Sequence, residues 1–300
     1  MRVAFMPKSI LVTGANGQLG RELRQLSDLN TDFTFTFISR DELDLSDSEA
    51  IQTWFMDKAF DVIINCAAYT AVDKAEVEPE LARALNSTAV ETLARIAKAK
   101  NSALIHISTD YVFNGKNYQP YSETDLTDPQ GIYGQTKLEG EQAMLAINPA
   151  KSIIIRTSWV YSRFGNNFVK TMLRLGKERE ELGVIYDQVG TPTSAQDLAL
   201  AILAIIQHPK LESLTDTEIY HFSNEGVCSW YDFAKAIFEY SAIVCQVKPI
   251  VTKDYPTPAT RPHYSLLNKA KIKSTFDLTI PYWKDSLADC LNNLTGTDYS

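Results

Sequence analysis

The chain has 300 residues, 45% of them hydrophobic and 22% charged, with a formal net charge of -8. That is the composition of an ordinary globular protein, long enough for one large domain or two small ones. The acidic balance, with no run of Lys or Arg, excludes a nucleic-acid surface, which needs a basic patch, but leaves anion binding by backbone N–H groups open. The longest apolar run, Leu198 to Ile206, falls far below the ~20 residues of a bilayer crossing, so no membrane partner is expected.

In chain order, Ser9–Val12 reads as a strand ending at a glycine turn, followed by a helix from about Gln18 to Leu26. A second strand covers Thr34–Ile38 and a helix follows around Asp47 to Lys58. Asp61–Cys66 and Ala103–Ser108 lack polar alternation, as strands buried on both faces do, and Pro79 to Lys100 between them reads as a long helix. Alternating strands and helices predict an α/β fold: a Rossmann-type, doubly wound parallel sheet with helices on both faces. After Ile153–Ile155 the pattern loosens. A helix from about Asn167 to Leu175, a strand near Val184–Tyr186 and a turn at Gly190–Thr193 precede an apolar helix, Asp197 to Gln207, and a strand, Glu218 to Ser223. The last helix and strand suit the main sheet. The division expected is residues 1–160 plus about 196–223 as the dinucleotide-binding domain, and about 161–195 plus 224–300 as a smaller, mixed α/β substrate lobe, rich in proline towards its end.

Cys66, Cys228, Cys245 and Cys290 form no Cys-x-x-Cys pair. With an N-terminal apolar stretch too short for a signal peptide, this suits free thiols in the cytoplasm. His208, His221 and His263 show no metal-ligand spacing, and His106, inside a strand, reads as a core histidine.

Gly14, Gly17 and Gly20, in Thr13-Gly14-Ala15-Asn16-Gly17-Gln18-Leu19-Gly20, lie between the first strand and the first helix. Glycines let backbone amides approach a pyrophosphate, and the helix N-terminus favours its charge. At the end of the second strand an acid would bind the 2′-hydroxyl of NAD, whereas an arginine can receive a 2′-phosphate. Ser39-Arg40 stands there, which points to NADPH, with NADH tolerated. Asp44-Leu45 follows, where the carboxylate could accept from the adenine amine.

Tyr133 and Lys137 are four residues apart, hence on one face of a helix. Thr109 ends the strand Ala103–Ser108, at the sheet edge where such folds bind ligands. Hydride arriving at a carbonyl leaves charge on oxygen, which must be stabilised and protonated. Tyr133 can supply the proton and Thr109 a hydrogen bond to the same oxygen; positive charge from Lys137 and the oxidised nicotinamide lowers the phenol pKa towards neutrality, and Lys137 also holds the nicotinamide ribose.

These residues resemble the extended short-chain dehydrogenase/reductase superfamily, and more narrowly the dTDP-4-dehydrorhamnose reductase family. The resemblance runs over nearly the whole chain. It includes Asn65-Cys66-Ala67-Ala68-Tyr69-Thr70, Ser108-Thr109-Asp110-Tyr111-Val112-Phe113, Arg156-Thr157-Ser158-Trp159-Val160-Tyr161 and Pro256-Thr257-Pro258-Ala259-Thr260-Arg261-Pro262. It implies that Gly17, Gln18 and Leu19 touch the pyrophosphate and Asp44-Leu45 the adenine end, and that Ala67, Ala68 and Tyr69 line the cofactor. It further implies that Thr109 and Asp110 meet the sugar and that Trp159 packs on the substrate. Arg261 is a candidate for the substrate diphosphate. The implied activity is NADPH-dependent reduction of a dTDP-linked 4-keto sugar by a monomer or homodimer. Ser162-Arg163-Phe164 departs from the pattern, which has a glycine there; some members of the family bind magnesium at a dimer contact through glutamates, whereas the glycine turn here offers Gln18, so no tightly bound metal is expected. A nucleotide-sugar epimerase, a reductase of another sugar, and a non-catalytic regulatory subunit of the methionine adenosyltransferase type are the alternatives. A 4,6-dehydratase is disfavoured, because Asp110 is followed by Tyr111 rather than glutamate.

Overall fold

The computed structural model describes residues 7–295, and the N-terminal stretch weighed above as a leader lies almost wholly outside them. Six strands form one parallel sheet: β1 (Lys8–Thr13), β2 (Phe33–Ile38), β3 (Val62–Asn65), β4 (Ala103–Thr109), β5 (Ile153–Thr157) and β6 (Glu218–His221). Their spatial order is β2-β1-β3-β4-β5-β6, so the winding reverses between β1 and β3. The interior strands β3 and β5 are buried at every position, whereas β2, at an edge, alternates.

The sheet side chains feed two layers. Ile10, Val12, Ile64, Ile105 and Ile155 pack against Leu19 and Leu23 of α1 (Gln18–Ser27) and against Leu198, Ile202 and Ile205 of a later helix, Ala195–Gln207. Leu11, Ile63, Leu104 and Ile154 point the other way, onto Val90, Leu93 and Ala97 and onto Met144. The expected helix 47–58 is shorter, α2 (Ser48–Trp54), capped by the Asp47 carboxylate on the amides of Glu49 and Ala50. The long helix α3 spans 79–100 as Pro79–Arg83, a π-helical turn Ala84–Thr88, and Ala89–Lys100. Inside that turn, buried Asn86 accepts from the amide of Tyr69 and donates to its carbonyl, which fixes the segment leaving β3. The helix α4 (Ile132–Ile147) packs on α3.

A second core gathers Tyr161, Val169, Leu173, Leu182, Val184, Phe233, Ile237, Trp283 and Leu287. It is built on α5 (Phe168–Glu178), a parallel strand pair (Glu181–Ile185 with Gln246–Ile250), and the helices Trp230–Tyr240 and Trp283–Thr295. The expected turn at 190–193 instead holds two short pairings. Val189–Gly190 runs antiparallel to Cys228–Ser229, and Thr193–Ser194 runs parallel to Val160–Tyr161. Two-residue strands leave no periodicity to read. Ile272, Phe276 and Ile280 return from the second half of the chain to the first core. Among the described residues no helix is long and apolar enough to cross a membrane.

Candidate active site

The reversal of winding opens a crevice at the carboxyl ends of β1 and β3, the place where open α/β sheets take ligands. A cleft of about 840 Å³ begins there and runs past β4 to the second core. Gly14 is the residue that makes it possible. Its φ is +65°, and a Cβ built on it would stand 2.7 Å from the amide nitrogen of Ala67, where no side chain fits. Gly17 then caps α1 with extended backbone and no side-chain cap, so the first helical amides are free for an anion. The donor set and the glycine cradle fit a dinucleotide pyrophosphate.

Gly14, Gly17, Gln18, Leu19, Ser39, Arg40, Asp44, Leu45, Ala67 and Ala68 all line this cleft, as do Thr109, Asp110, Tyr133, Lys137 and Trp159. Three expected residues do not. Gly20 sits against Gly14 and Ala15, where any Cβ would clash, so its part is helix-to-turn packing. The Tyr69 hydroxyl turns away to the Glu78 carboxylate at 2.5 Å, and Thr70 and Val72 take its place along the wall. Arg261 is committed to Asp73 through two bonds of 2.6 and 2.7 Å and to the Ala259 carbonyl, outside the lining. The pair ties the loop that carries Arg261 to the short helix Val72–Ala75. Arg40 is mostly exposed and paired with Asp44 at 3.2 Å, while the second Asp44 oxygen accepts from Ser46. The Ser39 amide and hydroxyl donate to Glu42.

The cleft also includes residues that the motifs did not mark: Leu43, Leu85, Gly165, Asn166 and Asn167. Gly165, with φ 64°, follows Ser162-Arg163-Phe164 on the cleft wall. Asn167 caps α5 and donates to Gln18 at 3.0 Å, joining the glycine turn to the second core. Nothing local in the sequence signals that contact.

Thr109 closes β4, and Tyr133 and Lys137 rise one turn apart on α4. Gly134 lets that helix approach closely, since a Cβ there would collide with the Tyr111 carbonyl. The Thr109 hydroxyl donates to Asp110 Oδ1 at 3.0 Å and accepts from the Tyr111 amide at 3.2 Å. Burial pushes the Tyr133 phenol up to about 12, opposed by the nearby Thr109 hydroxyl and helped by Asp110. Lys137, one of the two cations expected to lower the phenol, is not among the groups that act on it. The Lys137 amino group instead donates to the Ile107 carbonyl at 2.6 Å and faces His106 Nε2 at 3.3 Å. Burial lowers Lys137 to about 8, against the pull of Glu141. Asp110, 2% exposed and with Oδ2 unpartnered, is raised by burial to about 7. Trp159 takes a left-handed backbone, φ 50°, and stacks on Trp230 with ring centroids 3.7 Å apart.

A parallel switch-point sheet, a glycine-lined cleft and a threonine, tyrosine and lysine at one end of it define an oxidoreductase of the extended short-chain dehydrogenase/reductase class. The model of the RmlD substrate binding domain matches residues 8–295. A dTDP-4-dehydrorhamnose reductase of Escherichia coli is 44% identical over 301 residues, covering 96% of this chain and 99% of that one. The protein of the same name from Aggregatibacter actinomycetemcomitans is 43% identical, with coverage of 93% and 96%. The solved dTDP-4-dehydrorhamnose reductase of Bacillus anthracis, in complex with NADP, superposes with a TM-score of 0.89 at 38% identity, covering 96% of this chain and all of that one. The chain belongs to the dTDP-4-dehydrorhamnose reductase family. A 4-epimerase from Campylobacter jejuni, 18% identical with a TM-score of 0.74, shares the fold alone.

Proposed function

We propose that this chain reduces the 4-keto group of dTDP-4-dehydro-L-rhamnose to give dTDP-L-rhamnose, with NADPH as cofactor and NADH tolerated. The observation that carries the reading is the convergence of Thr109, Tyr133 and Lys137 on one end of the glycine-lined cleft. When bound, the cofactor supplies hydride to the keto carbon. The chain's own residues then manage the oxygen. Thr109 orients it with a hydrogen bond, and Tyr133 holds its proton firmly until charge develops there, then gives it up. Lys137 holds the ribose side, and Trp159 and Asp110, both on the cleft lining, wall the sugar.

The NADP complex of a relative and the Ser39-Arg40 pair at the end of β2 support NADPH. For the phosphate to engage Arg40, that residue must leave Asp44. The four free cysteines support a reducing, cytoplasmic setting. Two separate cores support a division into a dinucleotide domain, 1–160 plus 196–223, and a sugar lobe, 161–195 plus 224–300, although the segment carrying Ile272 and Phe276 packs on the first. A monomer or a homodimer is proposed, to be separated by sedimentation.

The deciding experiment follows reduced-nicotinamide absorbance with freshly generated dTDP-4-dehydro-L-rhamnose. Stoichiometric consumption supports a reductase. A cofactor that stays bound and unspent while the sugar is interconverted would make the chain an epimerase and end the proposal.

A further inference from the structure

Behind the cleft lies a polar chain that the reaction above does not use. Thr13, Asn65 and His106 are register partners on β1, β3 and β4, so their side chains form one row across three strands. All three are buried, at 0%, 1% and 0% exposure, where an unpaired polar group is costly. Thr13 Oγ1 donates to Asn65 Oδ1 at 2.7 Å, Asn65 Nδ2 meets His106 Nδ1 at 3.1 Å, and His106 Nε2 meets Lys137 Nζ at 3.3 Å. Lys137 is itself 1% exposed and lines the cleft, as does Thr13 at the other end of the row.

The direction of the bonds carries information. With Asn65 donating to Nδ1, the neutral imidazole keeps its proton on Nε2, pointing at Lys137. An Nε2–H can be accepted by a neutral amine but not by an ammonium. Turning the Asn65 amide by half a revolution reverses the row: Lys137 donates to Nε2, Nδ1–H donates to Asn65 Oδ1, and Asn65 donates to Thr13. One proton distinguishes the two arrangements. It leaves Lys137 for the cleft, while the imidazole keeps a single N–H that changes nitrogen.

We propose that His106, held by Asn65 and Thr13, is a positioning residue for Lys137 whose imidazole tautomer is coupled to the protonation of the Lys137 amino group. The inference rests on the reading of Lys137 as part of the reductase site. Two neighbours keep the coupling confined to this pair. Lys137 is the charged group that acts on the imidazole, and Glu141, one turn along α4, acts on Lys137. Glu141 is committed to Arg156 of β5 and to Ser108. Burial holds His106 well below its ordinary pKa, so the ring stays neutral in both arrangements.

The test is nitrogen-15 NMR of histidine-labelled protein, without sugar, between about pH 6 and 10, the range that brackets an amine lowered by burial. The chain has four histidines, and His106→Gln identifies the signal by its loss. The expected result is a ring neutral throughout, Nδ1–H below and Nε2–H above a changeover near 8, and no changeover in Lys137→Met. A second arm measures the dissociation constant of NADPH. His106→Leu should weaken it about tenfold and His106→Gln less than about threefold, because the glutamine oxygen can still accept from the ammonium. A tautomer independent of pH in the wild type, an imidazolium in this range, or a changeover that survives in Lys137→Met overturns the proposal. The NMR arm needs no turnover, so an inactive protein with coupled tautomers would count against the reductase reading alone.

Discussion

Glu141 and Arg156 form a forked ion pair beneath the cleft, with bonds of 2.7 and 3.0 Å and exposures of 1% and 3%. Ser108 adds its hydroxyl to the same carboxylate at 2.5 Å, so α4, β4 and β5 are tied together one turn below Lys137. Removing one partner of such a pair strands the other charge in a low dielectric. Glu141→Ala should cost about 3–5 kcal/mol of stability, read as a lowered denaturation midpoint. A loss below ~1 kcal/mol would mean that the pair is solvated in solution.

Tyr133→Phe deletes the proton donor and keeps the ring against Tyr111, whose centroid is 5.4 Å away. Turnover should fall about 10²–10⁴-fold, the range for a lost general acid, with NADPH affinity within about threefold of wild type. Single-turnover absorbance and cofactor titration separate the two. Near-normal rates would assign the acid elsewhere.

Gly14→Ala places a methyl group against the Ala67 amide in a backbone conformation that L residues rarely adopt. The strain, on the order of 1–3 kcal/mol, should appear as a lower melting temperature together with a larger loss of cofactor binding. Unchanged affinity would show that the glycine turn is not the pyrophosphate site.

Asp110 links pH to stability. Its folded pKa, raised to about 7 from an ordinary 3.8, means that the native state holds a proton the unfolded chain has released. Native Asp110 is therefore neutral and tolerated below pH 4. Stability is lost as pH rises from there to about 7, and the full penalty remains above. Asp110→Asn should remove this slope, so that its melting temperature relative to wild type is higher at pH 8 than at pH 5. Parallel curves for the two proteins would contradict it.

The parts legible in the sequence are those in which neighbours along the chain act together. A strand running into glycines, a tyrosine four residues before a lysine, and a threonine ending an apolar strand each carry their geometry locally. The pairing of Arg261 is not legible, because its partner, Asp73, is 188 residues away, and a loop arginine looks free until that carboxylate is placed. His106 read correctly as buried, but its row with Thr13 and Asn65 exists only through strand register, which no single segment encodes. Lys137, near Tyr133 along the helix, is one of two cations expected to acidify the phenol, the oxidised nicotinamide being the other. In the fold, the ammonium turns to Ile107 and burial dominates the phenol.

The indoles of Trp159 and Trp230 lie almost parallel, 14° apart, at van der Waals separation, with Trp159 on the cleft wall. Transition dipoles this close couple, so the pair should alter the near-ultraviolet circular dichroism and the tryptophan emission, with a sign and size set by the in-plane angle between the two indoles. A sugar sliding against Trp159 perturbs both signals, giving a label-free optical gauge of occupancy in which the other two tryptophans, Trp54 and Trp283, contribute only a constant background.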